Sequence, residues 1–162
     1  MSISQPPIGY QFHNESLLQN ALTHSSYANE NREKGVHSNE RLEFLGDAVL
    51  GFICAEYIYE HFRSMPEGEL TNLRASIVCE KSLHEYALRL HLGEYLLLGH
   101  GEESGGGRQR PSVLADAVEA MLAAIYLDGG IRAAKGFILD YIKEKAEKVL
   151  RTRHPLDYKT AL

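Results

Sequence analysis

From Val113 to Leu127 the chain reads VLADAVEAMLAAIYL, and in those fifteen residues only Asp116 and Glu119 carry charge. The run is too long for an ordinary strand, and as a helix it is apolar on every side. Such a helix has to be enclosed, so the rest of the chain must be able to wrap it. Its two acids are three residues apart and leave the helix in the same direction. Carboxylates held together in an apolar setting are costly unless a cation meets them. Solvated surface charges are the alternative, and a helix without a polar side suits that reading poorly.

A second acidic stretch lies upstream: Asn39-Glu40-Arg41-Leu42-Glu43-Phe44-Leu45-Gly46-Asp47-Ala48-Val49-Leu50. At about 100° per residue, Glu40, Glu43 and Asp47 fall within an arc of roughly 60°. Leu42, Leu45, Val49 and Phe52 fall on the far side and are the expected core stripe. Phe44 and Gly51 flank the acids on one edge, Leu50 and Cys54 on the other. Two helices with their acids on one face can converge on a hard divalent cation, which prefers carboxylate and water oxygens. A carboxylate-lined Mg²⁺ site is therefore expected, with Mn²⁺ able to substitute.

These residues also carry a resemblance. Glu40-Arg41-Leu42-Glu43-Phe44-Leu45-Gly46-Asp47 resembles the signature stretch of the ribonuclease III family, and Asp116-Ala117-Val118-Glu119-Ala120 resembles its second acidic motif. Thr23-His24-Ser25-Ser26-Tyr27-Ala28-Asn29-Glu30 and Glu67-Gly68-Glu69-Leu70 are similar to further family stretches. The resemblance implies the endonuclease-domain fold: all-α, with a long central helix packed by several shorter ones. It implies an endoribonuclease that cuts double-stranded RNA, leaves 5′-phosphate and 3′-hydroxyl ends, and serves rRNA and mRNA processing as a homodimer. On that basis Glu43, Asp116 and Glu119 carry the metal. Asp47 joins them, orienting or deprotonating a metal-bound water, and Asp47 and Glu119 are the catalytic pair. Glu40 and Glu67 match further acidic positions near the cleavage site. Both also suit ordinary helix starts, where acids favour the macrodipole. Phe44 is implied to plug into a socket on an identical partner; a core Phe at the stripe's edge is the alternative.

At 162 residues the chain fits one domain with a proper core. No apolar run approaches the length of a bilayer span, and MSISQPPIGYQF is not a secretory leader. Cys54 and Cys79 lie in apolar helical patterns and are expected to be buried thiols in a cytoplasmic protein. A net charge of −5 argues against tight binding of a polyanion by this domain alone. Residues 1–153 are expected to form the catalytic domain. Residues 154–162 read as a linker and the truncated start of a double-stranded-RNA-binding domain, by the resemblance of Asp157-Tyr158-Lys159-Thr160-Ala161-Leu162.

Along the chain, Leu17, Leu18, Ala21 and Leu22 mark a first helix with Asn14 or Ser16 as cap. Residues 29–38 read as a loop. The signature helix should start after Ser38 or Asn39 and run to about Phe62, ahead of Pro66. ELTNLRASIVC and SLHEYALRLHL have helical spacing, with Ser82 as cap of the second. Residues 99–111, rich in glycine, read as a flexible connector, with Arg108 and Arg110 free to touch a phosphate. A nucleotide-cradling loop is not expected, because no Lys-Ser/Thr follows the glycines. Ser112 is the expected cap of the second acidic helix, which should end at Asp128-Gly129-Gly130. A last helix with Ile131, Ala134, Phe137, Ile138, Tyr141 and Ile142 on one face completes the set.

His24 is expected to be packed and hydrogen-bonded, since hard Mg²⁺ favours oxygen. A di-iron bundle needs Glu-x-x-His pairs, and the chain has none. A non-catalytic RNA-binding module is the other alternative, disfavoured because all four acids are in place.

Overall fold

The computed structural model describes residues 5–153; the expected linker and second-domain start at 154–162 lie outside them. The fold is all-α, with elements α1 (Glu15–Leu22), α2 (Ser25–Glu30), α3 (Glu40–His61), α4 (Glu67–Val78), α5 (Glu80–Arg89), α6 (His100–Ser104) and α7 (Pro111–Arg153). Among the described residues the only extended pairing is an isolated parallel bridge between Thr23 and Leu97.

Two helices organise the rest: α3, and the first arm of α7 lying across it. Residues 113–125 of α7 are buried on every side except at Asp116, as an all-round apolar helix requires. Leu127 breaks the expectation and is exposed. Pro111 opens α7 at the first helical position, where its missing N–H costs nothing. Ser112 is thus inside the helix, not its cap. At Gly130 the backbone leaves helical values (φ 85°, ψ −176°), a region essentially reserved for glycine, and the helix divides into two arms. The second arm buries Ala134, Phe137, Ile138, Tyr141, Ile142 and Ala146.

The core side of α3 differs from the expected stripe. Leu50, Ile53, Cys54 and Ile58 are buried along with Leu42 and Val49, whereas Leu45 is half-buried and Phe52 is 55% exposed. Because α3 is apolar on nearly every side, periodicity alone could not choose the inward face. The acids therefore sit at one end of the buried face, not opposite it. That is why they can meet α7.

Smaller elements fix the ends of these two helices. The Asn14 side chain caps α1, accepting from Ser16 N at 3.0 Å. Asn39 begins α3 without capping it; its side-chain amide donates to Ala21 O at 3.0 Å and its backbone N–H to Thr23 O at 2.8 Å. Asp128, at the end of the first arm of α7, accepts from the Tyr10 hydroxyl (2.6 Å) and from the N–H groups of His13 (2.8 Å) and Asn14 (3.0 Å). Burial works to raise that carboxyl, but these donors outweigh it and hold its pKa below the ordinary range. Residues 29–38 contain the end of α2 and a 3₁₀ turn (Arg32–Lys34) rather than plain loop.

The glycine-rich segment is tied down, not a flexible connector. Arg108 donates to Gly93 O (2.7 Å), Leu96 O (2.9 Å) and the Glu103 carboxylate, and Arg110 pairs with Glu102. Both arginines expected to be free for phosphate are thus engaged within the chain. Ser82 is buried within α5 and donates to Ser76 O at 2.7 Å, while Cys79 occupies the cap position. Cys54 is buried as expected; Cys79 is exposed.

Candidate metal centre

The site forms where α3 and α7 touch, and Gly46 sets that contact. A Cβ at residue 46 would fall inside the Glu119 carbonyl, which is backbone and cannot swing away. Gly46→Ala is expected to push the helices apart, costing at least about 3 kcal/mol and lowering Tm by roughly 6–12 °C. Calorimetry on the variant checks this; an unchanged Tm would contradict the close crossing.

With the backbones that near, one carboxylate oxygen from each of Glu43, Asp116 and Glu119 lies within 4.8 Å of the others. Glu43 and Asp116 are half-buried; Glu119 is only 7% exposed. Asp47 is exposed and shares a hydrogen bond with Glu119, and Asp116 shares one with Glu43. Four of the acids singled out in the sequence are therefore gathered at one place.

Glu40 and Glu67 are not gathered with them. Glu40 is exposed and accepts from the Ser38 hydroxyl at 2.9 Å. Glu67, at the first turn of α4, borders a surface pocket with Ala55, Ile58 and Tyr59 of the far half of α3. Ala55 lies about 18 Å along that helix from Glu43. His24 is the packed, hydrogen-bonded residue expected: its Nδ1 accepts from Ser26 N at 3.1 Å and caps α2.

The electrostatics match the geometry. Burial, then the hydrogen bond to Asp47 and the charges of Asp47, Glu43 and Asp116, raise Glu119 to about 9. Burial and the nearby Glu43, with Glu80 adding less, raise Asp116 to about 6. Carboxylates crowded until they share protons form a place where a cation would be favourably held. An all-oxygen donor set of this kind fits a hard divalent ion such as Mg²⁺ or Mn²⁺ and does not suit a soft one.

A pH dependence follows with a definite sign. At pH 7 Glu119 carries a proton that a cation must displace. Mn²⁺ affinity should therefore climb about tenfold per pH unit between about pH 6 and 9, and more steeply below that, where Asp116 is also protonated. Titrating Mn²⁺ at several pH values measures the slope; a flat profile would exclude Glu119 as a ligand.

Fold and site together define an all-helical domain with an acidic cluster set between two buried helices, and comparison with known proteins assigns its family. A family model described as Ribonuclease-III-like matches residues 14–146. Proteins named ribonuclease 3 from Caldanaerobacter subterraneus and Desulforamulus reducens are each 52% identical over 155 residues, 96% of this chain. The match covers 68% and 63% of their lengths, so the chain spans about two thirds of the curated relatives. The nuclease domain of ribonuclease III from Campylobacter jejuni, in a structure described as flexible in a region involved in dimer formation, is 43% identical. It superposes with a TM-score of 0.78 over 85% of this chain and 92% of its own. This chain belongs to the ribonuclease III family, a family of ribonucleases, and it matches the nuclease domain of the Campylobacter jejuni protein.

Proposed function

We propose that the domain is an Mg²⁺-dependent endonuclease that hydrolyses phosphodiester bonds of double-stranded RNA, working as a homodimer in rRNA and mRNA processing. The observation that carries this reading is the meeting of Glu43, Asp116 and Glu119 between two buried helices. These three, with Asp47, would hold the cation; Mn²⁺ fits the same oxygens. When bound, it supplies a Lewis acid for the phosphate and lowers the pKa of the attacking water. Asp47 is the exposed member, on the solvent side of Glu119, and is suited to orient that water and accept its proton. Attack at phosphorus with departure of the 3′ oxygen leaves a 5′-phosphate and a 3′-hydroxyl.

The dimer is supported by an apolar surface that the isolated chain leaves in water. Phe44 is 81% exposed, Tyr59 72% and Phe52 55%, all on one side of α3, with Ile131 and Tyr126 bordering the same surface at Phe52. An isologous two-fold contact pairs residue i with j and j with i. If two copies of α3 cross antiparallel near Phe52, Phe44 of each lands beside the other's Tyr59. A pocket of about 230 Å³ waits there, bordered by Ala55, Ile58, Leu70 and Glu67. That is ample for a ring, since about 150 Å³ accommodates benzene. The same pairing carries Glu67 of each copy toward the acids of the other, which accounts for its distance from them within one chain.

No described helix is long and apolar enough to cross a membrane. Together with two free thiols, this supports a cytoplasmic setting. With a net charge of −5, firm hold on RNA is assigned to a further domain. Incubating the protein with a long RNA duplex and Mg²⁺ at low salt tests the reading. Cleavage with 5′-phosphate ends is expected, and intact duplex under those conditions would overturn it.

A further inference from the structure

An asparagine at the start of a helix ordinarily turns its side chain onto the first free N–H groups of that helix. Asn39 does not cap α3 in this way. It is buried, and its side-chain amide donates to Ala21 O at 3.0 Å while its backbone N–H donates to Thr23 O at 2.8 Å. Both acceptors belong to the end of α1, where helical carbonyls run out of intrahelical donors. Asn20 reaches back from α1. Its amide donates to His37 O (3.1 Å) and Ser38 O (2.9 Å), the two residues that precede Asn39. Every partner of these two amides is a carbonyl, so only a donor can stand at either position.

The other end of α1 is joined to α7, where Asp128 accepts from Asn14 N–H at 3.0 Å. The third junction is the close crossing of α3 and α7 at Gly46 and the Glu119 carbonyl. Three helical segments therefore close a triangle: Asn39 to Gly46, Glu119 to Asp128, and α1 between their far ends. By helical rise its sides are about 10, 14 and 12 Å. A triangle held at all three corners has no free hinge. Opened at Asn39, it would leave α3 able to turn about the Gly46 crossing. Glu43 stands on the α3 side between two fixed points, and Glu119 stands at the opposite end of that side's crossing. We propose that Asn39 and Asn20 are positioning residues of the metal site, closing the corner that sets where Glu43 stands relative to Asp116 and Glu119. The inference rests on the proposed metal site. Neither amide touches the cation; both act through Glu43.

Mn²⁺ binding to the whole chain, followed by electron paramagnetic resonance, tests this. Asn20→Ala removes two donated bonds, and alanine is the better helix former, so folding is least threatened. It should weaken Mn²⁺ binding about tenfold. Asn39→Asp keeps the shape but sets an acceptor against Ala21 O, and should weaken binding at least as much. The double variant should lose little more than the weaker single one, because both open the same corner. Tyr141→Phe breaks the buried bond to Ile77 O (2.7 Å) on the second arm of α7. It should lower Tm and leave Mn²⁺ affinity unchanged. RNA cleavage by Asn20→Ala should need more Mg²⁺ for half-maximal rate and approach the wild-type rate at saturation, since a bound cation draws Glu43 back into place. Wild-type Mn²⁺ affinity in both asparagine variants would overturn the inference alone, provided Glu119→Gln abolishes binding. An equal loss of affinity in Tyr141→Phe would also overturn it, by reducing the effect to general stability. If wild type itself takes up no Mn²⁺, the metal-site reading falls and this inference with it.

Discussion

Replacing Glu119 by glutamine is expected to lower single-turnover cleavage of an RNA duplex by at least about 10³-fold while leaving the metal-free protein folded. The two effects separate because of the carboxyl's protonation. Held near pKa 9 by burial and by Asp47, Glu43 and Asp116, the side chain is neutral at pH 7 in the absence of a cation. Glutamine has nearly the shape of that protonated acid, so packing between α3 and α7 should survive. It lacks the anion that a divalent ion requires. The stability profile gives a second check. A carboxyl whose folded pKa is raised from about 4.5 to about 9 binds more protons folded than unfolded. The wild-type, metal-free protein should thus lose stability as pH rises through that window. Glu119→Gln should flatten this decline, and adding Mg²⁺ should offset it in the wild type only. A variant that still cuts at near wild-type rates with saturating Mg²⁺ would falsify the site.

If the proposed dimer forms, Phe44→Ala should convert it to monomers at micromolar concentration. Each copy would lose one aromatic anchor, so the dimer loses two. At about 2 kcal/mol for each buried ring, the dissociation constant rises on the order of 10³-fold. Sedimentation velocity over a concentration series measures the shift. Monomer stability should be unaffected, because Phe44 touches little within its own chain at 81% exposure. In the proposed dimer, coordinated cutting of both strands should fall in step with dissociation, because the pairing that would bring Glu67 of one copy toward the other's acids is lost. A Phe44→Ala protein that stays dimeric would remove the socket assignment and with it the explanation for Glu67.

The gathering of the acids was easier to read in the sequence than the packing around them. Acids isolated on apolar helices stand out because charge in such a run is expensive, and Glu43, Asp47, Asp116 and Glu119 do come together. The inward face of α3 was misjudged because the helix has two apolar sides. Leu45 and Phe52 make as good a stripe as Ile53 and Ile58, and only contact with α7 distinguishes them. The short helices α2 and α6 have five or six residues, too few for a period to register. Glycines at 99–107 suggested mobility, yet the order there comes from Arg108 and Arg110, whose partners lie in residues 93–96 and in α6 and its end. Gly46 was legible as part of a motif, but its purpose shows only when the carbonyl of Glu119 is seen against it.

The bond of Asp128 to Tyr10, His13 and Asn14 has a practical side. It stitches the amino-terminal segment to the very end of the acid-bearing arm, beside the Gly130 bend. Trimming the protein to begin at α1 would cut away the phenol that this carboxylate holds and loosen the arm that displays Asp116 and Glu119. A shortened version meant for crystals or assays should start no later than Tyr10, or a loosened acidic cluster will be mistaken for a property of the intact domain.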